Sequence, residues 1–168
     1  MAFTIYDATL PVFQQTLGSL LVLLDKAEAH ARDKDIDVTH LLNASLAPDM
    51  FNFIRQVQIA TDHAKGCAAR LSGLDIPKFE DSEKTVDELR ARIRKTLDFV
   101  ATVTPEQCAG AETKDLKLVF PWATYEFTGQ RYVTAWALPN FFFHATTAYD
   151  ILRHQGVPVG KSDFLGAL

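Results

Sequence analysis

Across residues 10–31 the apolar side chains Leu10, Phe13, Leu17, Leu20, Leu21, Leu24, Ala27 and Ala31 recur at spacings of three and four. Residues so spaced share one side of an α-helix, and a stripe of that length must be covered. The period returns three more times. A second stripe carries Phe51, Ile54, Gln58, Thr61, Ala64, Ala68 and Leu71, and a third carries Val86, Leu89, Ile93, Leu97 and Val100. The fourth carries Val133, Trp136, Ala137, Phe141, His144, Ala148 and Ile151. Four long helices, each with one side to hide, predict an all-α four-helix bundle.

Local signals set the expected boundaries. Thr9 caps the first helix with Pro11 in its first turn, and Asp33-Lys34-Asp35 ends it. Residues 37–43 read as a short capped helix. Ala47-Pro48-Asp49 opens the second long helix, and Gly73 stops it. A linker over 75–81 is long enough to cross the end of the bundle, which favours a crossover over a simple up-down order. Thr85-Val86-Asp87-Glu88 is a capping box that starts the third long helix, and Thr104-Pro105-Glu106-Gln107 repeats the signature as a short extra turn. The period then changes from helical to alternating. Leu116, Leu118 and Phe120, the turn Pro121-Trp122-Ala123, and Tyr125 and Phe127 predict a small β-hairpin inserted before the last long helix. That helix spans 130–154, with a kink or restart at Pro139. The tail packs across the outside, and residues 1–168 read as one domain.

Composition narrows the function classes. In 168 residues the hydrophobic fraction is 48% and the charged fraction 23%, globular values that exclude a disordered chain. No run approaches the roughly 20 apolar residues of a membrane span. A net charge of -4 argues against nucleic-acid binding. The one basic cluster, Arg90, Arg92, Arg94 and Lys95, is interleaved with Asp87, Glu88 and Asp98, and reads as a solvated face with a Glu88–Arg92 pair. Cys67 and Cys108 form no CxxC and the N-terminus carries no secretory pattern, so a cytoplasmic protein with free thiols is expected. Of the 12 phenylalanines, Phe13, Phe51 and Phe99 are expected between helices, and Phe141 to Phe143 around the approach to His144.

No nucleophile elbow, phosphate loop, dinucleotide fingerprint or HExxH occurs, and no Glu-x-x-His pairs of a di-iron bundle. Histidine placement is what remains. His144 lies on the inward stripe of the last helix, and His63 lies midway along the second, beside the polar residues Gln56, Gln58, Thr61 and Asp62. Burial holds an imidazole neutral, the form that binds metal. Cys67 follows His63 by one turn, so His63, Cys67 and His144 are a candidate zinc-ligand set. Two readings stay open: a metal site, or satisfied core histidines beside a small buried thiol. Gln56, Asp62, Trp122, Asn140 and Tyr149 are the candidate pocket-lining residues.

Pro48-Asp49-Met50-Phe51, Gln56-Val57-Gln58-Ile59-Ala60 through Asp62-His63-Ala64-Lys65, and Ala137-Leu138-Pro139-Asn140-Phe141-Phe142-Phe143-His144 resemble a bacterial and fungal family described as a domain of unknown function. Ala148-Tyr149-Asp150-Ile151-Leu152-Arg153-His154 and Gly156-Val157-Pro158 extend the resemblance over essentially the whole chain. The family is related to the DinB-like (YfiT-like) helical bundles. The resemblance implies a crossover four-helix bundle, a homodimer, and a divalent metal, commonly nickel or zinc. That metal would be held by one His on the second helix and an H-x-x-x-H pair on the last. His63 matches the first ligand and His144 the second. The third position is Ala148, which has no donor, and Tyr149 projects about 100° away around the helix. Two function classes follow: a small-molecule enzyme or binder centred on the two histidines with a degenerate metal site, or a non-catalytic dimeric bundle without metal.

Overall fold

The computed structural model describes residues 2–166. Four long helices carry the core: α1 (Leu10–Asp33), α3 (Phe53–Ser72), α4 (Val86–Ala101) and α6 (Leu138–His154), with the short α2 (Val38–Asn43) after α1. Helix α3 packs against both α6 and α4, and α1 packs against both α4 and α6, closing a ring of four. Leu17, Leu20, Leu24, Phe53, Val57, Ile93, Phe141 and Ile151 fill its centre and are almost wholly buried. Among the described residues no helix is long and apolar enough to cross a membrane.

Several ends form as their sequences dictate. Asp37 caps α2 by accepting from the Thr39 N–H at 2.8 Å. Thr85 and Glu88 make the reciprocal capping box of α4, and Gly73 ends α3 at φ 78°, where a side chain would be strained. Two starts differ from expectation. The Thr9 hydroxyl donates to the Ile5 carbonyl at 2.7 Å and caps nothing. Pro48 and Asp49 lie in a turn before α3, whose cap is Asn52, accepting from the Arg55 N–H at 3.0 Å. Phe51 therefore precedes the helix and stands 57% exposed, and Phe53 takes the core place.

The hairpin pairs β1 (Asp115–Val119) antiparallel to β2 (Thr124–Thr128), with Leu118 opposite Tyr125. After it the last helix comes in three pieces: α5 (Gly129–Tyr132), a π-helical turn Val133–Ala137, and α6. Pro139 has no N–H for the ladder, and just ahead of it the Leu138 N–H reaches back five residues to the Val133 carbonyl. The tail forms α7 (Lys161–Leu165) against α1, tied by Lys26–Asp163 at 2.8 Å and by Gln15 Nε2 donating to the Leu165 carbonyl at 2.7 Å.

Of the basic cluster on α4, only Arg94 and Lys95 stand on a solvated face. Arg90 binds Asp25 and Glu28 of α1, and Arg92 is almost wholly buried. Glu88 is not its partner, being engaged with the Lys84 and Thr85 N–H groups. Arg92 instead meets Asp62 at 2.8 Å, Asp81 at 3.0 Å and Glu83 at 3.1 Å. Its Nε donates to Thr61 Oγ1 at 2.7 Å. Burial of a guanidinium demands this saturation, and it fixes the linker over residues 80–83 against α3 and α4.

Candidate functional site

Helix α3 advances about 100° per residue, so Gln56, His63 and Arg70, seven apart, lie along one line. That line faces α6, where His144 projects between the buried Phe141, Ala145 and Ala148. The rings of His63 and His144 stack with centroids 6.0 Å apart and planes 12° from parallel. The ring of Phe143 stands nearly perpendicular to that of His144, centroids 5.2 Å apart.

A side-chain relay fixes the state of His144. Gln56, 1% exposed, donates from Nε2 to the Phe51 carbonyl at 3.1 Å, which sets its amide orientation. Its Oε1 therefore faces His144 Nδ1 at 2.7 Å. An amide oxygen only accepts, so Nδ1 carries the proton and Nε2 keeps a free lone pair. No hydrogen bond engages the His63 ring among the described residues. Since no fully buried side-chain nitrogen or oxygen lacks a partner there, the unpartnered nitrogens of His63 and His144 keep some contact with solvent.

Both imidazoles are neutral at physiological pH. Burial pushes His63 down to about 4, and His144, Arg70 and Lys65 add repulsion. Burial also pushes His144 down to about 4, with Arg55 adding repulsion. The pair thus offers two acceptor nitrogens and the N–H of His63, and it is weak at taking a proton until something negative arrives.

The other candidates divide. Asp62 faces the opposite way, held by Lys65 at 2.7 Å and Arg92 at 2.8 Å. Asn140 turns back to the Trp136 carbonyl at 2.7 Å, in the π-helical turn. Tyr149 packs on Phe164 of α7, centroids 5.8 Å apart. Trp122 stands 76% exposed at the hairpin tip, stacked on Phe120 beside Trp136 and Tyr125. Cys67 is fully buried, and that burial pushes its thiol far up. Three surface cavities of about 430, 590 and 560 Å³ are lined by other residues, and none of the three includes either histidine.

A resident metal does not fit this donor set. Among the described residues no three His, Cys, Asp or Glu side chains form a group that could hold a metal ion. Catalytic zinc takes three protein ligands. The pair offers two neutral nitrogens, and the position one turn beyond His144 is the buried methyl of Ala148.

Sequence reasoning missed two residues near the pair. Arg55 lies within electrostatic reach of His144, and Arg70 of His63. The signal for the second was in view: His63, Gly66 and Arg70 stand three and seven apart on one face, with a glycine where helices avoid one.

The chain is similar over residues 5–165 to the family described as "Domain of unknown function (DUF1993)". A solved structure of a DinB family member protein from Shewanella denitrificans shares 46% identity, covering 98% of this chain and 93% of its own, with a TM-score of 0.91. No curated protein matches.

Proposed function

Because the chain belongs to the DUF1993 domain family, within the DinB-like proteins, we propose that it is a DinB-like four-helix bundle, with its crossover before α4, that binds a small molecule at the His63–His144 pair. His144 Nε2 and the His63 ring accept hydrogen bonds from the ligand, and the ring of Phe143 shields one side of the pair. One observation carries the reading. The Phe51–Gln56–His144 relay fixes one tautomer and leaves its lone pair without a protein partner. A core histidine that served packing alone would be expected to engage both ring nitrogens, and here only Nδ1 has a partner.

In this reading the pair orients a ligand O–H or N–H and takes up its proton when the environment turns negative. No step runs through a metal, since the donor set stops at two. The homodimer implied by the resemblance belongs to the same reading, and a monomer by light scattering at micromolar concentration removes that clause.

The test is a screen of a small-fragment library by NMR, observing the imidazole nitrogens of His63 and His144. Fragments that bind here shift both sets of signals with saturation in the native chain and lose that response in His144→Ala. If no fragment moves the imidazole signals saturably, or if binders are indifferent to His144→Ala, the reading fails.

A further inference from the structure

Among the described residues six Lys and Arg side chains are buried or half-buried: Lys26, Arg55, Lys65, Arg70, Arg90 and Arg92. Five hold a carboxylate. Lys26 has Asp163, Arg55 has Asp81, Lys65 has Asp62, Arg90 has Asp25 and Glu28, and Arg92 has three. Arg70 has none. Its Nη1 donates to the Tyr132 hydroxyl at 3.3 Å, and its guanidinium carbon lies 5.7 Å from the centre of that ring. Neither contact neutralises a charge, and a cation drawn from water without a counter-charge is unfavourable.

The helix is nevertheless shaped to hold it there. Gly66 is buried inside α3, where glycine is the poorest ordinary helix former. A Cβ at Gly66 would fall 2.7 Å from Arg70 Nη1. The guanidinium therefore lies back along α3 over Gly66 instead of reaching for solvent. The next residue up that face is His63, one turn before Gly66, or about 4.5 Å along the axis. His63 feels the charge of Arg70. Arginine over a glycine, beside an imidazole and a phenol, is a cradle shaped for an anion.

We propose that Arg70 anchors an oxyanion of the ligand, a carboxylate or a phosphate, seated on its guanidinium between His63 and the Tyr132 hydroxyl. The inference rests on the His63–His144 pair being a binding site and names the class of molecule that site takes. A guanidinium presents a planar fork that matches two oxygens of such a group, and the Tyr132 O–H turns to donate a third bond. The bound anion gives the sixth sheltered cation what the other five already have. It also offsets the repulsion at His63, so that an imidazole idle in the free protein becomes able to take a proton beside the ligand.

The experiment titrates inorganic phosphate and, separately, acetate into the full chain at constant ionic strength, following the His63 imidazole nitrogens by NMR. The expected result is a saturable shift with at least one anion, and which anion gives the tighter response separates a phosphate from a carboxylate ligand. Arg70→Gln weakens that response tenfold or more, Arg70→Lys restores part of it, and the exposed Arg94→Gln leaves it unchanged. Gly66→Ala keeps the charge but pushes the guanidinium off its seat, and weakens the response as well; it stands in for Arg70→Gln should that variant not fold. A shift that is linear with both anions, or saturable and as strong in Arg70→Gln and Gly66→Ala as in the native chain, overturns the proposal. Carboxylate- or phosphate-bearing fragments that bind the histidine pair indifferently to Arg70→Gln also overturn it while leaving the pair's binding role intact. Fragments indifferent to His144→Ala remove that role instead.

Discussion

The two sides of α3 treat polar groups in opposite ways. Toward α4 and the linker, Arg55, Gln58, Thr61, Asp62 and Lys65 all end on partners, and the buried Arg92 ties them together through Asp62, Asp81 and Glu83. Toward α6, Gln56 is saturated but exists to orient His144, while the His63 ring and Arg70 lack the partners their chemistry calls for. Both sides sit on the same helix at comparable burial. The difference shows that sheltered polarity is affordable either way, and that its completion separates its uses. A network closed on itself holds the fold, and one left open is available to a ligand.

The largest expected effect tests the closed side. Arg92→Met removes the cation shared by three carboxylates, of which Glu83 is left with no other cation. Breaking a buried ion cluster by deleting one partner costs about 3–5 kcal/mol, and Lys65 and Arg55 keep this case near the lower end. Urea unfolding measures it directly. A loss under about 1 kcal/mol would make the closed network no different in kind from the open side.

The histidine pair gives the next effect. Both rings are pushed from an ordinary 6.5 to about 4. Above pH 6.5 neither folded nor unfolded chain protonates them. Between 6.5 and 4 the unfolded chain takes protons that the folded chain refuses, so stability falls as pH falls. The loss is about 2 kcal/mol per ring once the water reaching the ring edges is allowed for. Unfolding midpoints at pH 7.5, 6 and 5 should decline in the native chain and stay nearly level in a His63→Gln, His144→Gln double variant. Equal declines in both would place the open side among ordinary packing. The lowered carboxyls, such as Glu88 and Asp163, do not confuse this window, because their contribution is lost only nearer pH 4 and below.

What was legible in the sequence follows the range of the forces involved. The apolar stripes, the Thr85–Glu88 box, the Asp37 cap and the hairpin rest on residues within a few positions of each other. The meeting of His63 and His144 was also readable, because two mid-helix positions on inward faces of packed helices converge. The burial of Arg92 was not. Its partners lie 30, 11 and 9 positions away, while the nearby Glu88 offered a local pairing that the helix cap claimed first. Trp122 and Tyr149 were placed by aromatic content alone, and a ring's direction is settled by what it packs on, Phe120 for one and Phe164 for the other. The start of α3 slipped because Pro48 and Asp49 satisfy the same rules as a helix opening while Asn52 satisfies them better.

Gly66→Ala divides stability from function on the open side. Alanine favours the helix by about 1 kcal/mol over glycine. The clash it introduces is with the far end of a flexible side chain, which can swing outward. The variant should therefore unfold at the same or a higher urea concentration, by up to about 1 kcal/mol, while its affinity for phosphate or acetate drops. A clear destabilisation would show that the guanidinium is locked by the fold and not held for a ligand.

The smallest effect is the most direct contrast with Arg92. Arg70→Gln deletes a sheltered guanidinium, as Arg92→Met does, but strands no carboxylate. What it loses is one long hydrogen bond to the Tyr132 hydroxyl and a ring contact at 5.7 Å, each a minor contribution, and it relieves an uncompensated charge. The net change in unfolding free energy should lie within about 0.5 kcal/mol of zero. Two arginines on facing helices, one buried and one half-buried, would then differ several-fold in what they give the folded chain. A loss at Arg70 as large as at Arg92 would mean that a counter-charge already sits beside it, and the distinction between the two sides of α3 would collapse.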